Sequence, residues 1–193
     1  DDPTMTSAAG PWHGFLLEQH SISGFEADDI FCLNNIVGVH LGAPASIEWK
    51  LDGQSRVQYF QQGGINIVPA QVPFSLRGQD VYEFFSVSFE PKFLACAAHE
   101  IGVMNRLELT LSHGVNDPLI LSLALALKSE VEANGLGGRL YGETLAMTLG
   151  VHLVRKYSVQ TPKINEDQGG LPKHQLRRVV EFMNDRASED ISL

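Results

Sequence analysis

Positive charge is scarce in this chain: 14 Lys and Arg stand against 23 Asp and Glu, a formal net charge of −9. Nucleic-acid binding needs clustered cations against phosphate, so these residues supply no basic surface of their own. Even the stretch from Leu171 to Leu193 is balanced, with Lys173, Arg177, Arg178 and Arg186 against Glu181, Asp185, Glu189 and Asp190. Cysteine is nearly absent. Cys32 and Cys96 lie in apolar surroundings with no metal spacing, and read as two reduced, buried thiols of a cytoplasmic protein. Long hydrophobic runs are missing too: Leu119 to Leu127, broken by Ser122, falls well short of the ~20 residues that cross a bilayer. The opening DDPTMTSAAG lacks the basic and apolar regions of a signal peptide, and Asp1 to Thr4 ahead of Met5 read as a vector scar. The expectation is a soluble, cytoplasmic protein with no membrane partner.

Catalytic spacings are equally sparse. The histidines at 13, 20, 40, 99, 113, 152 and 174 form no H-x-H or H-x-x-x-H pair. There is no G-x-S-x-G, and neither cysteine has a base beside it in sequence. The glycines of NGLGGR (Asn134 to Arg139) follow a helical pattern and no strand, so they mark a helix-hairpin turn and not a phosphate loop.

What the chain does have is apolar residues, 44% against 19% charged, enough for a sizeable core. Seven runs from Trp12 to Phe89 read as strands: Phe15–Leu17, Ile30–His40, Ser46–Leu51, Arg56–Phe60, Ile65–Val68, Phe74–Arg77 and Val81–Phe89. Ile47, Trp49 and Leu51 alternate with Glu48 and Lys50, which puts them on one face. Asp52-Gly53 and Gly63-Gly64 are hairpin turn signals. Many short strands with regular turns indicate a sandwich or barrel.

The second half is helical. A short helix is expected over Pro91–Ala98 and one more strand over Leu107–Leu111. Asp117-Pro118 then opens a long helix, Asp as N-cap and Pro at the first turn, with Ile120, Leu123, Ala124, Leu127 and Val131 as its buried face. Another helix spans Gly138 to Tyr157 with Leu145, Leu149, His152 and Leu153 as its stripe. Residues 158–170 carry Pro, Gly and charge without period and read as a linker. Leu176, Val179, Val180 and Met183 then share one face of a helix from near Pro172. Ser192 has the form of a further N-cap.

The order Gly169-Gly170-Leu171, LRRVVEFM (Leu176 to Met183) and SEDISL (Ser188 to Leu193) resembles the entry to the DNA-binding domain of AraC/XylS-type transcription regulators. WKLDG (Trp49 to Gly53) and GGINIVPAQVP (Gly63 to Pro73) are similar to a phrase in that family's sensor barrel. The resemblance implies a mainly β chain with α: a cupin-like jelly-roll barrel (a double-stranded β-helix) over 1–115, which would bind a small-molecule effector. It implies a helical hairpin over 116–157 for dimerisation, a linker over 158–170, and over 171–193 the first helix of a helix-turn-helix domain cut short. The longer protein would bind DNA and this chain would not. The expected partners are an effector of unknown identity and a second copy of the chain.

A metal-dependent cupin enzyme, an isomerase or dioxygenase, is the first alternative. That motif can be laid on Gly63 to Phe74, but Phe74 stands where the histidine ligand belongs and a phenyl ring has no lone pair for a metal. No catalytic residue, metal ligand or cofactor is therefore assigned. A barrel serving only for dimerisation is the second alternative. Trp49, Phe74, His40 and Tyr59 are the candidate ligand-binding residues, as aromatic or polar groups on barrel strands. Leu145, Leu149, His152 and Leu153 are the candidate dimerisation residues.

Overall fold

The computed structural model describes residues 2–103 and 107–159. Nine strands come first: β1 Met5–Thr6, β2 Phe15–Ile22, β3 Phe25–Ile30, β4 Asn35–His40, β5 Ala45–Leu51, β6 Gln54–Phe60, β7 Ile65–Val68, β8 Phe74–Gly78 and β9 Tyr82–Phe89. They are followed by α1 Pro91–Glu100, β10 Ser112–Val115, α2 Pro118–Glu132 and α3 Gly138–Tyr157.

The strand plan is a rolled hairpin. Its tip is Asp52-Gly53, both at positive φ (49° and 77°), as a two-residue type I′ turn demands. Leu51 therefore pairs with Gln54, and β5 with β6. Outward from that tip β4 pairs β7, β3 pairs β8 and β2 pairs β9, all antiparallel. Cross-pairing of β4 with β9 and of β5 with β8 gathers these strands into two sheets, β1-β2-β9-β4-β7-β10 and β3-β8-β5-β6. This is the double-stranded β-helix, the cupin-like jelly roll expected from the sequence.

Alternation sorts the side chains of the six-stranded sheet. Phe15, Leu17, Val37, Val39, Ile65, Ile67, Phe85, Val87 and Phe89 face the helices and join Leu94, Ile120, Ala124, Leu127, Ala146, Leu149 and Leu153 in one core. The opposite face meets the four-stranded sheet. There Ala45, Ile47, Trp49, Phe60 and Phe74 pack with Val68 and Tyr82 to fill the barrel.

Three expectations are corrected. Ile30–His40 is not one strand: β3 and β4 belong to different sheets, and 31–34 is the crossover between them. The crossover is held by Gln71 N–H on the Cys32 carbonyl and Ala70 N–H on the Asn35 side chain. Gly63-Gly64 is likewise a crossover and not a hairpin, because β6 and β7 lie in different sheets; Gly63 N–H and the Gly64 carbonyl both bond the His40 backbone. The strand expected over Leu107–Leu111 sits further on as β10, leaving Leu109 a single bridge to Ser158. The acidic strand β3 (FEADDI) escaped notice because its apolar content is low.

Asp117 ties the helices together. One carboxylate oxygen caps α2 by accepting from the amides of Leu119 (3.1 Å) and Ile120 (3.2 Å). The other accepts from His152 Nε2 (2.9 Å), Lys156 Nζ (2.8 Å) and the Tyr157 hydroxyl (2.9 Å), all on the last turns of α3. Burial alone would raise its pKa, but the bonds from Lys156, His152, Tyr157 and the Ile120 amide together hold the carboxyl well below the usual carboxylate range. At the other end of α3, Gly142 leaves room for the Trp12 indole, which occupies the space a Cβ would need. Among the described residues no helix is long and apolar enough to cross a membrane. The tail helix and most of the expected linker lie outside the described residues; Ser158 and Val159, its first two, pair with the 108–110 segment.

A carboxyl whose pKa falls on folding stabilises the chain above its unfolded value, about 3.9, and that contribution is lost as pH drops through the folded value. Asp117→Asn should therefore lower the melting temperature at pH 7 and flatten the loss of stability below about pH 4. Asp117→Ala should cost more than the ~1 kcal/mol of a lost N-cap, since three donors lose their acceptor as well. Thermal denaturation across pH checks both, and a wild-type acid profile in Asp117→Asn would show the clamp to be without weight.

Candidate functional site

The two-residue turn that closes β5 and β6 also fixes which side chains share the barrel's inner face near that end. Leu51 opposes Gln54, and Trp49 opposes Arg56. With Asp52, Leu111 and His113 these residues line a pocket of about 400 Å³ at the hairpin end of the barrel. Its chemistry is mixed: two leucines, an indole, an imidazole, an amide, one cation and one rim carboxylate.

One polar group in this pocket is buried without a partner, whereas Arg56 is exposed and His113 half-buried. Trp49 is buried, and its indole N–H has no hydrogen-bond partner among the described residues. Arg56 forms no ion pair among them. His113 stacks on Trp49 with ring centroids 4.0 Å apart, and its Nδ1 meets Asn66 Oδ1 at 3.3 Å. Asn66 Nδ2 donates to the Tyr82 hydroxyl (3.2 Å), so its carbonyl is the acceptor toward His113. Nδ1 of His113 then carries the proton and Nε2 keeps a bare lone pair. Burial pushes the His113 pKa down to about 4, so the ring is neutral at pH 7.

Behind the pocket the polar string continues. Tyr82, buried so that its phenol pKa is raised, stacks against His40 with centroids 4.7 Å apart. His40 is fully buried; its Nε2 donates to the Ala43 carbonyl (2.7 Å), and Nδ1 has no partner among the described residues. A shallower groove of about 220 Å³ lies on the outer face of the four-stranded sheet, lined by Glu26, Asp28, Glu48, Lys50 and Arg77 among others. Its Arg77 is already paired with Glu26, which makes it a weaker candidate.

The sequence candidates fall in different places. Trp49 walls the pocket, and Phe74 is buried beneath it with ring centroids 5.2 Å apart. His40 is inside the barrel but lies behind the pocket, next to Tyr82. Tyr59 is corrected: β6 turns Phe60 inward and Tyr59 outward, leaving it 73% exposed. The dimerisation set is corrected in part. Leu149 and Leu153 are fully buried in the core shared with the six-stranded sheet, so they offer no surface. Leu145 is partly buried against the same core, and His152 is engaged by Asp117. The large apolar residues exposed on the hairpin are Leu119, Leu125, Leu136, Leu140 and Tyr141. Among the described residues no three His, Cys, Asp or Glu side chains converge as a metal site requires.

Arg56, His113, Asn66 and Tyr82 were missed. Arg56 was open to inference, because a two-residue turn at Asp52-Gly53 sets it opposite Trp49. His113 was not, because β10 is irregularly paired.

No protein-family model matches the sequence, and no curated protein matches it. Solved structures similar in part include a cupin superfamily protein from Desulfitobacterium hafniense (11% identity, 40% of this chain and 69% of that chain, TM-score 0.34). A cupin-2 domain-containing protein from Shewanella frigidimarina is another (9% identity, 47% and 84%, TM-score 0.36). The oxalate decarboxylase of Bacillus subtilis, whose Mn(II) centres have been studied, is similar at 14% identity over 40% of this chain and 21% of that one, with a TM-score of 0.34. Each covers less than half of this chain, and the jelly-roll assignment rests on the strand order and registers given above.

An imidazole whose pKa is lowered in the folded chain binds its proton more weakly there than in the unfolded chain. Its share of stability is complete above the unfolded value of 6.5 and is lost as pH falls through about 4. In a Trp12→Phe background, Trp49 emission should titrate near pH 4 as the stacked ring charges. His113→Gln should abolish that titration and flatten the stability profile between these limits. A midpoint near 6.5 would mean that His113 is not buried as described.

Proposed function

We propose that this chain is the effector-sensing and dimerisation region of an AraC/XylS-type transcription regulator, and that it binds its effector without transforming it. The observation that carries this reading is the pocket's inventory: the exposed cation of Arg56 and the half-buried imidazole of His113 line about 400 Å³ at the barrel's end, beside Leu51, Leu111 and Trp49. Small-molecule sites are commonly apolar cavities with a few placed polar groups, and this pocket has that form. Arg56 calls for an anionic or strongly accepting group, and His113 Nε2 for a donor. A small hydroxylated organic acid meets both, with Leu51 and Leu111 against its apolar part.

In this reading the helical hairpin carries self-association, through the residues left exposed on it and not through Leu149 or Leu153. DNA contact would belong to a helix-turn-helix domain whose entry residues 171–193 resemble, and the effector would act by binding one of two conformations more tightly.

A thermal-shift screen with salicylate, mandelate, benzoate, neutral sugars and amino acids tests the reading. A hydroxy acid should stabilise the chain, by about 2.7 kcal/mol at a hundredfold excess over Kd. Arg56→Gln should remove that shift and leave the unliganded melting temperature near the wild-type value, because Arg56 has no ion pair to lose. Failure of every class, or stoichiometric iron, zinc or manganese in the purified chain, would overturn the sensor assignment.

A further inference from the structure

We propose that residues 108–117 form a strap that carries the state of the Trp49–His113 pocket to the C-terminal end of α3. The proposal rests on the sensor reading above and adds the route by which the site is read. Its basis is that one short piece of backbone does three jobs in succession. Residues 108–110 hold the chain leaving α3: Thr110 N–H donates to the Tyr157 carbonyl (2.7 Å), Val159 N–H donates to the Glu108 carbonyl (2.9 Å), and Leu109 bridges Ser158 between them. Leu111 and His113 are pocket wall. Asp117 then receives His152, Lys156 and Tyr157 from the same end of α3. The end of α3 is thus gripped on both flanks of the pocket wall by the segment that contains that wall. Among the described residues, no other segment both lines this pocket and hydrogen-bonds the last turn of α3.

The strap is also built to shift. Its strand β10 pairs with β7 at only Ser112 and Val115, with an irregular register between them. Gly114 lies there at a φ of +62°, and the Gln58 side chain occupies the space a Cβ would need. His113 is held from outside the strap by two contacts, the stack on Trp49 and the bond to Asn66. An occupant that donates a hydrogen bond to Nε2 and draws the ring toward it, or displaces the ring from Trp49, must move the strap backbone or strain it. Thr110 lies three residues from His113 on one side and Asp117 four on the other, both too near for slack to absorb the change. Coupling of this kind is reciprocal, so loosening the α3 end should also alter the pocket.

Amide exchange resolved by NMR on the 193-residue chain tests this without any effector. Trp49→Phe and Asn66→Ala each remove one hold on His113 from strands outside the strap. Both should speed exchange at the Thr110 and Val159 amides by about tenfold or more, while the Leu16 and Ser88 amides of the β2–β9 pair keep their wild-type rates. In the reverse direction, Tyr157→Phe in a Trp12→Phe background should shift the emission of Trp49. Wild-type exchange at Thr110 and Val159 in both pocket variants would overturn the strap. So would equal acceleration at Leu16 and Ser88, which would reduce the effect to global stability. A failed effector screen with these exchange changes present would refute the sensor reading and leave the coupling standing. Ligand binding with no exchange change would do the opposite.

Discussion

Val37, Val39, Ile65, Ile67, Phe85 and Val87 are fully or almost fully buried on the outer face of a sheet whose other face is also covered. That two-sided burial is the constraint on which the molecule is organised. A jelly roll alone would leave these residues against water, so the helices are as much a part of the barrel's stability as its strands are. The two faces are also chemically unlike. The helix side is apolar throughout, whereas the barrel side interleaves His40, Asn66 and Tyr82 with Val68 and Phe84. Polar groups in such a place are costly unless they find one another, and most of them do, in the string from His113 through Asn66 to Tyr82. The candidate site is where that string reaches the barrel's open end.

Asp117 makes the helical cover depend on the barrel's last strand. Its carboxylate lies two residues beyond β10, caps one helix and anchors the end of another, so the hairpin is fixed at the point where the chain leaves the sheet. A cap that engaged only α2 would leave the last turn of α3 without its side-chain tie to the segment that follows β10. Three donors on one oxygen set both its position and its rotation. Helix cover and pocket wall are therefore consecutive in the chain, not separate modules joined by a loop.

Most of the framework was legible in sequence, for reasons that differ from element to element. α3 was read with its observed limits, and α2 with its start, because glycine, Asp-Pro and a 3.6-residue apolar period mark helix ends plainly. β5 was legible because one face meets the core and the other meets water. The strand β3 was not, since it is an acidic edge with little to bury, and fusing Ile30 to His40 followed from apolar content that does not show where a chain changes sheets. The site was half legible. Trp49 and His40 sit on alternating strands where inward placement can be inferred, while Tyr59 shows that alternation without a fixed register leaves the choice of face open. Leu149 and Leu153 make the complementary point: an apolar stripe tells that something covers it, and here the cover is the molecule's own barrel.

The sheet edges have a consequence for how copies of this chain can meet. The six-stranded sheet ends in β1, two residues long, and in β10, four residues long and irregular. One edge of the other sheet is β3, which carries Glu26, Asp28 and Asp29 exposed. Its opposite edge, β6, is approached by β10, with Gln58 packed over Gly114. A neighbouring chain seeking to extend the six-stranded sheet, or the other sheet at β3, would find brief, crooked or negatively charged templates. Strand addition is thereby discouraged at three of the four edges, and β6, seven residues long with Val57 and Tyr59 exposed, is the edge where a partner strand would find room beyond the stretch that β10 approaches.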